Sequence, residues 1–185
     1  TYLGSSDKLE EIFLKYKSNN FTTKSITNIF RYEIPTKGNF IGPGTILLNH
    51  KDFKRDKIFP SLIQRAIQKE FDIRSVFIEG EFYSLAIFSP KLSETIDFRD
   101  LYASKIIPRN IPFNLPQDIK DKLTLMAKEL YLKFCSFDLI YSSSSEFIFI
   151  EVNPEGIVDW VSLYGNFNIA GILCQNLINN EKRRN

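Results

Sequence analysis

The segment 146–156 reads EFIFIEVNPEG and constrains the fold more than any other stretch of the chain. Its apolar run, Phe147–Ile150, has the composition of a strand that a sheet buries. The run ends in the carboxylate of Glu151 and the amide of Asn153, polar groups that a core accepts only when they have partners. The sequence therefore predicts a strand that is buried as far as Ile150 and then enters a polar site.

A partner strand precedes this segment. Cys135–Tyr141 followed by the turn Ser142–Ser145 predicts an antiparallel hairpin, and a four-residue turn places Asp138 opposite Phe149. Because side chains alternate along a strand, four residues then share one face, with the two acidic residues on a diagonal about 7 Å apart. They are Asp138, Phe149, Glu151 and Asn153.

Two carboxylates and an amide oxygen on one sheet face, with no Lys or Arg in either strand, are suited to a hard cation. Mg²⁺ takes oxygen ligands of this kind, usually one or two carboxylates together with substrate phosphates. The pattern also allows a structural interpretation, in which Asp138 caps a turn and Glu151 protects an edge strand with its charge.

The rest of the chain alternates strand and helix signals and predicts an α+β fold. The predicted segments are a helix at Asp7–Tyr16, strands at Phe21–Ile26 and Thr45–Leu48, a glycine-bearing loop at about 31–52, an apolar linker at Leu62–Gln68, a hairpin of Ile73–Ile78 with Phe82–Phe88, an extended proline-containing connection at 103–116, and a helix at Gln117–Leu130.

Composition excludes several classes of protein. The formal net charge of +2 gives no reason to expect nucleic acid as a partner, and no apolar run is long enough for a membrane span. Cys135 and Cys174 lie in apolar sequence and are predicted to be reduced core thiols of a cytosolic protein. Their spacing to His50 is not that of a metal-binding motif. The single histidine has no nearby Ser or Cys partner, so nucleophilic hydrolase chemistry is disfavoured.

Several motifs resemble those of one known family. In chain order they are Thr23–Ser25, Phe59–Gln64, Phe82–Ser89, Asp97–Arg99, Asn110–Pro116, Phe137–Ile140 and Glu151–Pro154. The first six together are similar to the peptide maturases of the grasp-with-spasm systems, which are relatives of the microviridin-type ligases. Glu151–Pro154, together with Asp138, resembles the metal-binding signature of the ATP-grasp ligases. The two Asp-x-Arg motifs, Asp72–Arg74 and Asp97–Arg99, also resemble the paired motifs of the branch that includes the glutamate ligases acting on a ribosomal protein tail. One departure is Glu155–Ile157, where the family often has Gly-Gln-Phe.

The resemblance covers essentially the whole chain and implies an α+β ATP-grasp fold, in which antiparallel sheets with packed helices form two lobes that clasp ATP. It implies a central subdomain at 1–64, with a mobile loop at about 31–52, and a C-terminal subdomain at 65–185 that carries the magnesium site. Maturases of this kind carry a further domain before the region that matches Thr1, so the resemblance implies that this N-terminal domain is missing.

The resemblance also implies site residues. Lys24 would hold nucleotide phosphates unless it is a plain surface lysine, and the glycines of residues 38–44 would close over ATP unless they form only a turn. Asp72 would bind the ribose, with Glu70 as an alternative and a strand salt bridge as the structural interpretation. The linker residues that would meet the adenine are Gln64, Arg65, Ala66 and Ile67. Arg74 and Arg99 would be the catalytic guanidinium pair on the phosphoryl oxygens, unless Arg99 forms only a capping or loop salt bridge with Asp97 or Asp100. The metal ligands for Mg²⁺, as two ions, would be Asp138, Glu151 and Asn153.

The implied activity is an ATP-dependent ligase that crosslinks Asp or Glu side chains of a ribosomal precursor peptide to Thr, Ser or Lys side chains as esters or amides. Two alternatives stay open: a ligase that adds amino acids to a protein tail or small molecule, and a nucleotide- or peptide-binding fragment without turnover. The implied setting is cytoplasmic, with a homodimer as a possible assembly.

Overall fold

The computed structural model describes residues 2–4, 21–25, 32–33, 40–41, 45–48, 61–90 and 107–182. The chain divides into two compact units, one comprising Thr1–Ile67 with Lys91–Ile107 and the other Gln68–Pro90 with Pro108–Asn185. The predicted helix at 7–16, most of the loop at 31–52, His50 and Arg99 lie outside the described residues.

The first unit contains an antiparallel sheet of four described strands in the order β1-β6-β2-β5, and a separate two-stranded pair, β3-β4. The strands are β1 Tyr2–Gly4, β2 Phe21–Ser25, β3 Tyr32–Glu33, β4 Phe40–Ile41, β5 Ile46–Leu48 and β6 Ser61–Arg65. The prediction of a linker at 62–68 is wrong for most of its length, because β6 pairs with both β1 and β2 and buries Ile63. Only residues 66–68 connect the strands β6 and β7.

The second unit is built on a five-stranded antiparallel sheet in the order β11-β10-β7-β8-β9. Its elements are β7 Lys69–Ile78, β8 Glu81–Phe88, β9 Arg109–Phe113, α1 Gln117–Glu129, β10 Phe134–Ser142, β11 Phe147–Asn153, α2 Asp159–Gly165 and α3 Ile169–Lys182. The predicted hairpins and the helix that begins at Gln117 are confirmed.

The hairpin of β7 and β8 closes through two residues. Glu79 has φ 47° and Gly80 has φ 108°, and Ile78 pairs directly with Glu81. Two successive residues with positive φ form the tight turn whose twist matches that of the flanking strands. The Glu-Gly sequence therefore fixes the register of β7 and β8, two of the three interior strands of this sheet.

The proline-containing connection is extended, as expected, and part of it becomes the edge strand β9. Pro112 lies in that strand opposite Leu85. A proline has no N–H to give to a second neighbour, so it is tolerated at a sheet edge and not at its centre. This explains why β9 ends the order of strands.

The two faces of this sheet are covered by different helices. On one face, Leu123 and Ala127 of α1 form a buried cluster with core residues that include Phe77 and Phe137. On the other face, Tyr83 contacts the ring of Phe167, which connects α2 to α3, and α2 packs against β8 and β9. Burial raises the pKa of the Tyr83 hydroxyl, and the Glu81 carboxylate adds to that effect.

Two burial predictions are corrected. β11 is an edge strand, none of its residues is buried, and Phe149 is 40% exposed, so the apolar run does not form the buried strand that was predicted. Cys135 is buried and its pKa is raised to about 11 by desolvation, whereas Cys174 is an exposed thiol on α3 and not a core residue. Among the described residues, no helix has both the length and the apolar character required to cross a bilayer.

Candidate magnesium and nucleotide site

The register of the hairpin of β10 and β11 differs from the predicted one at both ends. Tyr141 pairs with Phe147 because the loop is one residue longer than expected. Ser142 N–H donates to the Glu146 carbonyl, and Ser145 takes a left-handed conformation with φ 63°. The predicted pairing of Asp138 with Phe149 is therefore wrong.

A β-bulge at Ile150 shifts the register so that the two acidic residues become direct partners. Leu139 pairs with Phe149, but the next pair is Asp138 with Glu151, so Ile150 has no opposite residue. The extra residue reverses the alternation of side chains within the strand. Phe149 consequently shares the α1 face with Leu139, while Glu151 lies on the opposite face, beside Asp138.

A row of charged side chains crosses three adjacent strands on this second face, which we call the charged row: Arg74 of β7, Asp138 of β10 and Glu151 of β11. The direct pairs are Arg74 with Asp138 and Asp138 with Glu151. Directly opposite residues in antiparallel strands have Cβ atoms about 4.5–5.5 Å apart. The two carboxylates are therefore closer neighbours than the diagonal arrangement that the sequence predicted.

Arg74 and Asp138 form a buried ion pair. Arg74 Nη1 donates to both carboxylate oxygens of Asp138, at 2.7 and 2.8 Å, and the two residues are 5% and 8% exposed. The expectation that no cation stands beside the carboxylates holds for β10 and β11 but overlooks β7, which supplies one. Arg74 Nε is also buried and has no hydrogen-bond partner among the described residues.

Asn153 lies on the same face, opposite Ser136, and its amide oxygen is already engaged. That Oδ1 accepts hydrogen bonds from the backbone N–H groups of Glu155, at 3.0 Å, and Gly156, at 3.2 Å. An Asx turn of this kind ends the strand and folds the chain back. The predicted metal ligand therefore has a structural role in addition to any ligand role.

The Asx turn packs closely on β10. A Cβ at Gly156, where φ is 41°, would lie 2.7 Å from Ser136 Oγ and 3.3 Å from the Phe134 ring. Ser136 Oγ is buried, and no described residue forms a hydrogen bond with it. Ser136 was not among the predicted site residues; its position two residues before Asp138, on the same strand face, is the signal that could have identified it.

The Gly156→Ala variant is expected to lower the free energy of unfolding by about 1–3 kcal/mol, because alanine must take a left-handed conformation and displace the Ser136 hydroxyl. The measurement is urea unfolding followed by the fluorescence of Trp160, the single tryptophan, which lies in α2 of the same unit. The matched comparison is Gly156→Ala in a Ser136→Ala background, where the closest contact is absent. An equal loss in both backgrounds would rule out the steric explanation.

Asp72, the predicted ribose ligand, is also paired. Lys69 Nζ donates to Asp72 Oδ2 at 2.5 Å, and the pairing pattern shifts between Tyr141 and Ser142, so Glu70 is an extra residue in β7. The irregularity brings Lys69 onto the same face as Asp72 although the two are three residues apart. This salt bridge matches the structural interpretation that the sequence allowed for Asp72, and the ribose contact stays a prediction.

The other predicted nucleotide residues belong to the first unit. Lys24 lies in β2, where its backbone pairs with Leu62. Gln64 and Arg65 end β6, with Gln64 half-buried and Arg65 exposed, and the half-buried Ala66 and Ile67 follow in the connection to the second unit. Their nucleotide roles, and those of Arg99 and residues 38–44, stay predictions.

Solved structures of known proteins match the chain over nearly its full length. The macrocyclase MdnC of Microcystis aeruginosa MRC, bound to the precursor peptide MdnA, matches with a TM-score of 0.77 and 21% identity, over 96% of this chain and 56% of that one. The ATP-grasp ligase PsnB, complexed with a phosphomimetic variant of a minimal precursor, Mg and ADP, matches at 0.71 and 19%, over 94% and 50%. This chain has the ATP-grasp fold.

A third match supports the same fold. The RiPP-associated ATP-grasp ligase of Chryseobacterium gregarium, in complex with ADP and a leader and core peptide, matches with a TM-score of 0.71 and 20% identity, over 95% of this chain and 54% of that one. The ATP-grasp chain described here thus spans about half the length of these proteins. No family model and no curated protein matches it.

Proposed function

We propose that the chain is the ATP-grasp part of a ligase that uses ATP to crosslink side chains of a ribosomal precursor peptide. The observation that carries this proposal is the charged row of Arg74, Asp138 and Glu151 on one face of an ATP-grasp sheet. Its support from relatives is that the PsnB structure contains Mg and ADP, and that MdnC is bound to a precursor peptide.

The residues of the charged row fit magnesium by their chemistry. Asp138 and Glu151 provide adjacent carboxylates, and an ionised carboxylate has enough lone pairs for Asp138 to accept from Arg74 and still bind a cation. No group of three or more His, Cys, Asp or Glu side chains converges in the described part of the chain. Two carboxylates completed by phosphate oxygens are the usual protein contribution to a magnesium–nucleotide site.

Asn153 fits this ligand set less directly. Its Oδ1 accepts two backbone N–H groups, so ligation through that oxygen requires at least one bond of the Asx turn to open. In the proposal, Asp138, Glu151 and Asn153 would together hold the magnesium, as two ions. When bound, the metal would neutralise charge on the phosphates as the phosphoryl group is transferred.

The proposed reaction has two balanced steps. A side-chain carboxylate oxygen of Asp or Glu in the peptide bonds to the γ-phosphorus of ATP, the bond to the β–γ bridging oxygen breaks, and ADP leaves. A Thr or Ser hydroxyl, or a Lys amine, then attacks the acyl carbon and releases inorganic phosphate and a proton. Each ring thus consumes one ATP and removes one water from the peptide, and no enzyme side chain is covalently modified.

The chain's own residues bind and orient the reactants in this scheme. Arg74 and Arg99 offer guanidinium donors to the phosphoryl oxygens, whose charge increases during transfer. Lys24 holds nucleotide phosphates as a compact point charge, Asp72 contacts the ribose, and the segment 64–67 contacts the adenine. The proposal includes a cytoplasmic location and a homodimeric assembly, with no nucleic acid or membrane as partner.

The test combines a binding and a product measurement. The protein is titrated with ADP with and without magnesium, then incubated with ATP, magnesium and the peptides encoded beside its gene. We expect magnesium-dependent ADP binding and a peptide whose mass falls by one water per ADP released. A gain of an amino-acid mass would instead support ligation to a tail, and binding without ADP release would support a binding module; either result would overturn the crosslinking proposal.

A further inference from the structure

The charged row raises the question of what holds it together before any cation arrives. Asp138 and Glu151 are directly opposite each other, and like charges in such a pair are unfavourable. Arg74 offsets this by donating from Nη1 to both oxygens of Asp138 in a buried position. With Arg74, the row has a formal charge of −1 (+1 from Arg74, −1 from each acid); without Arg74 the charge is −2.

We infer that Arg74 determines the form in which the site takes its metal, disfavouring a free divalent ion and favouring the metal–nucleotide complex. Arg74 lowers the attraction that a free ion gains, because it changes the formal charge of the row from −2 to −1, and its guanidinium, which lies against Asp138, repels the ion. This inference rests on the proposed function, because it assumes that the row is the metal site.

The second observation concerns the unused donor of the same side chain. Arg74 Nε is buried and lacks a hydrogen-bond partner among the described residues. An unsatisfied buried donor is costly, and a phosphate oxygen is a strong acceptor for a guanidinium N–H. A metal that arrives with a nucleotide brings such acceptors, whereas a free ion brings none. The same residue therefore opposes one form of the metal and assists the other.

The experiment uses Mn²⁺ as the probe for Mg²⁺ and measures its binding to the purified protein by electron paramagnetic resonance, with and without ADP. In the parent protein, we expect Mn²⁺ to bind at least about tenfold more tightly when ADP is present. In Arg74→Gln, which removes the charge but keeps an N–H donor, free Mn²⁺ is expected to bind about tenfold more tightly than in the parent. The dependence on ADP is expected to shrink accordingly.

Two further variants serve as controls. Arg74→Lys retains the positive charge and is expected to bind free Mn²⁺ as weakly as the parent protein does. Arg74→Gln combined with Asp138→Asn is expected to lose the gain, because the row returns to a charge of −1. Trp160 fluorescence and circular dichroism verify that each variant is folded before titration.

The outcomes separate this inference from the proposed function. A parent that binds no Mn²⁺ with ADP present contradicts the metal site itself. A parent that binds the Mn²⁺–ADP complex, together with an Arg74→Gln variant that holds free Mn²⁺ no more tightly than the parent does, contradicts only the role of Arg74. If Arg74→Gln does not fold, the parent alone decides: equal affinity for Mn²⁺ with and without ADP overturns the inference.

Discussion

The Asp138→Ala variant is expected to lower the free energy of unfolding by about 3–5 kcal/mol. The substitution removes both acceptors of Arg74 Nη1, and with them the carboxylate that offsets the charge of a guanidinium that is only 5% exposed. Breaking a buried pair by deleting one partner costs far more than the pair contributes, because the remaining charge is still desolvated. Urea unfolding followed by Trp160 fluorescence measures the change in the unit that contains the ion pair.

Two comparisons make this prediction specific. Asp118→Ala removes an exposed acid whose contact with Lys122 is 3.7 Å long, and it is expected to change the unfolding free energy by less than about 1 kcal/mol. The double variant Arg74→Met with Asp138→Leu replaces both charges by apolar groups and is expected to recover most of the loss. If Asp138→Ala proves as stable as Asp118→Ala, the loss of the buried carboxylate does not leave a costly unpaired charge, and the prediction is wrong.

The Glu151→Gln variant is expected to reduce ATP-dependent peptide crosslinking by about a hundredfold or more while leaving the fold intact. Glutamine keeps the shape of the side chain but removes the negative charge that the proposed metal site needs. The residue is half-buried on the edge strand β11, and neutralising it also relieves the like-charge contact with Asp138, so stability is expected to change by less than about 1 kcal/mol. ADP release in the presence of precursor peptide is the measurement.

Glu129→Gln is the matched control for this second prediction. Glu129 is an exposed residue in the last turn of α1, the helix that covers the other face of the sheet. The same change of chemistry at this position is expected to leave turnover at the parental rate. Equal activities for the parent, Glu129→Gln and Glu151→Gln would exclude Glu151 from the metal site.

Local patterns predicted most of the second unit's elements. The apolar positions of the segment beginning at Gln117 recur at helical spacing, and α1 buries Leu123 and Ala127 as that spacing requires. The Glu-Gly turn and the alternating residues around it predicted the hairpin of β7 and β8. Such features depend on neighbours within a few residues, which the sequence displays directly.

Other features depend on pairings between residues distant in the chain, and these were missed. β6 was interpreted as a linker because a short apolar segment does not reveal that strands on both sides will pair with it. Phe149 was assigned to a buried strand, yet β11 lies at the sheet edge. Apolar composition gives the tendency of a segment to be covered, but the order of strands decides which segment is covered on both sides.

The sequence by itself determined the residues of the candidate site: two acids and an amide on the two strands of one hairpin, within motifs that resemble the ATP-grasp ligases. Only the tertiary structure decided how these side chains meet. The bulge at Ile150 places Glu151 opposite Asp138, and the pairing of β7 with β10 brings Arg74 against Asp138 across 64 residues of sequence. The physical reason is that alternation is a local property of a strand, whereas register and strand order result from the packing of the whole sheet.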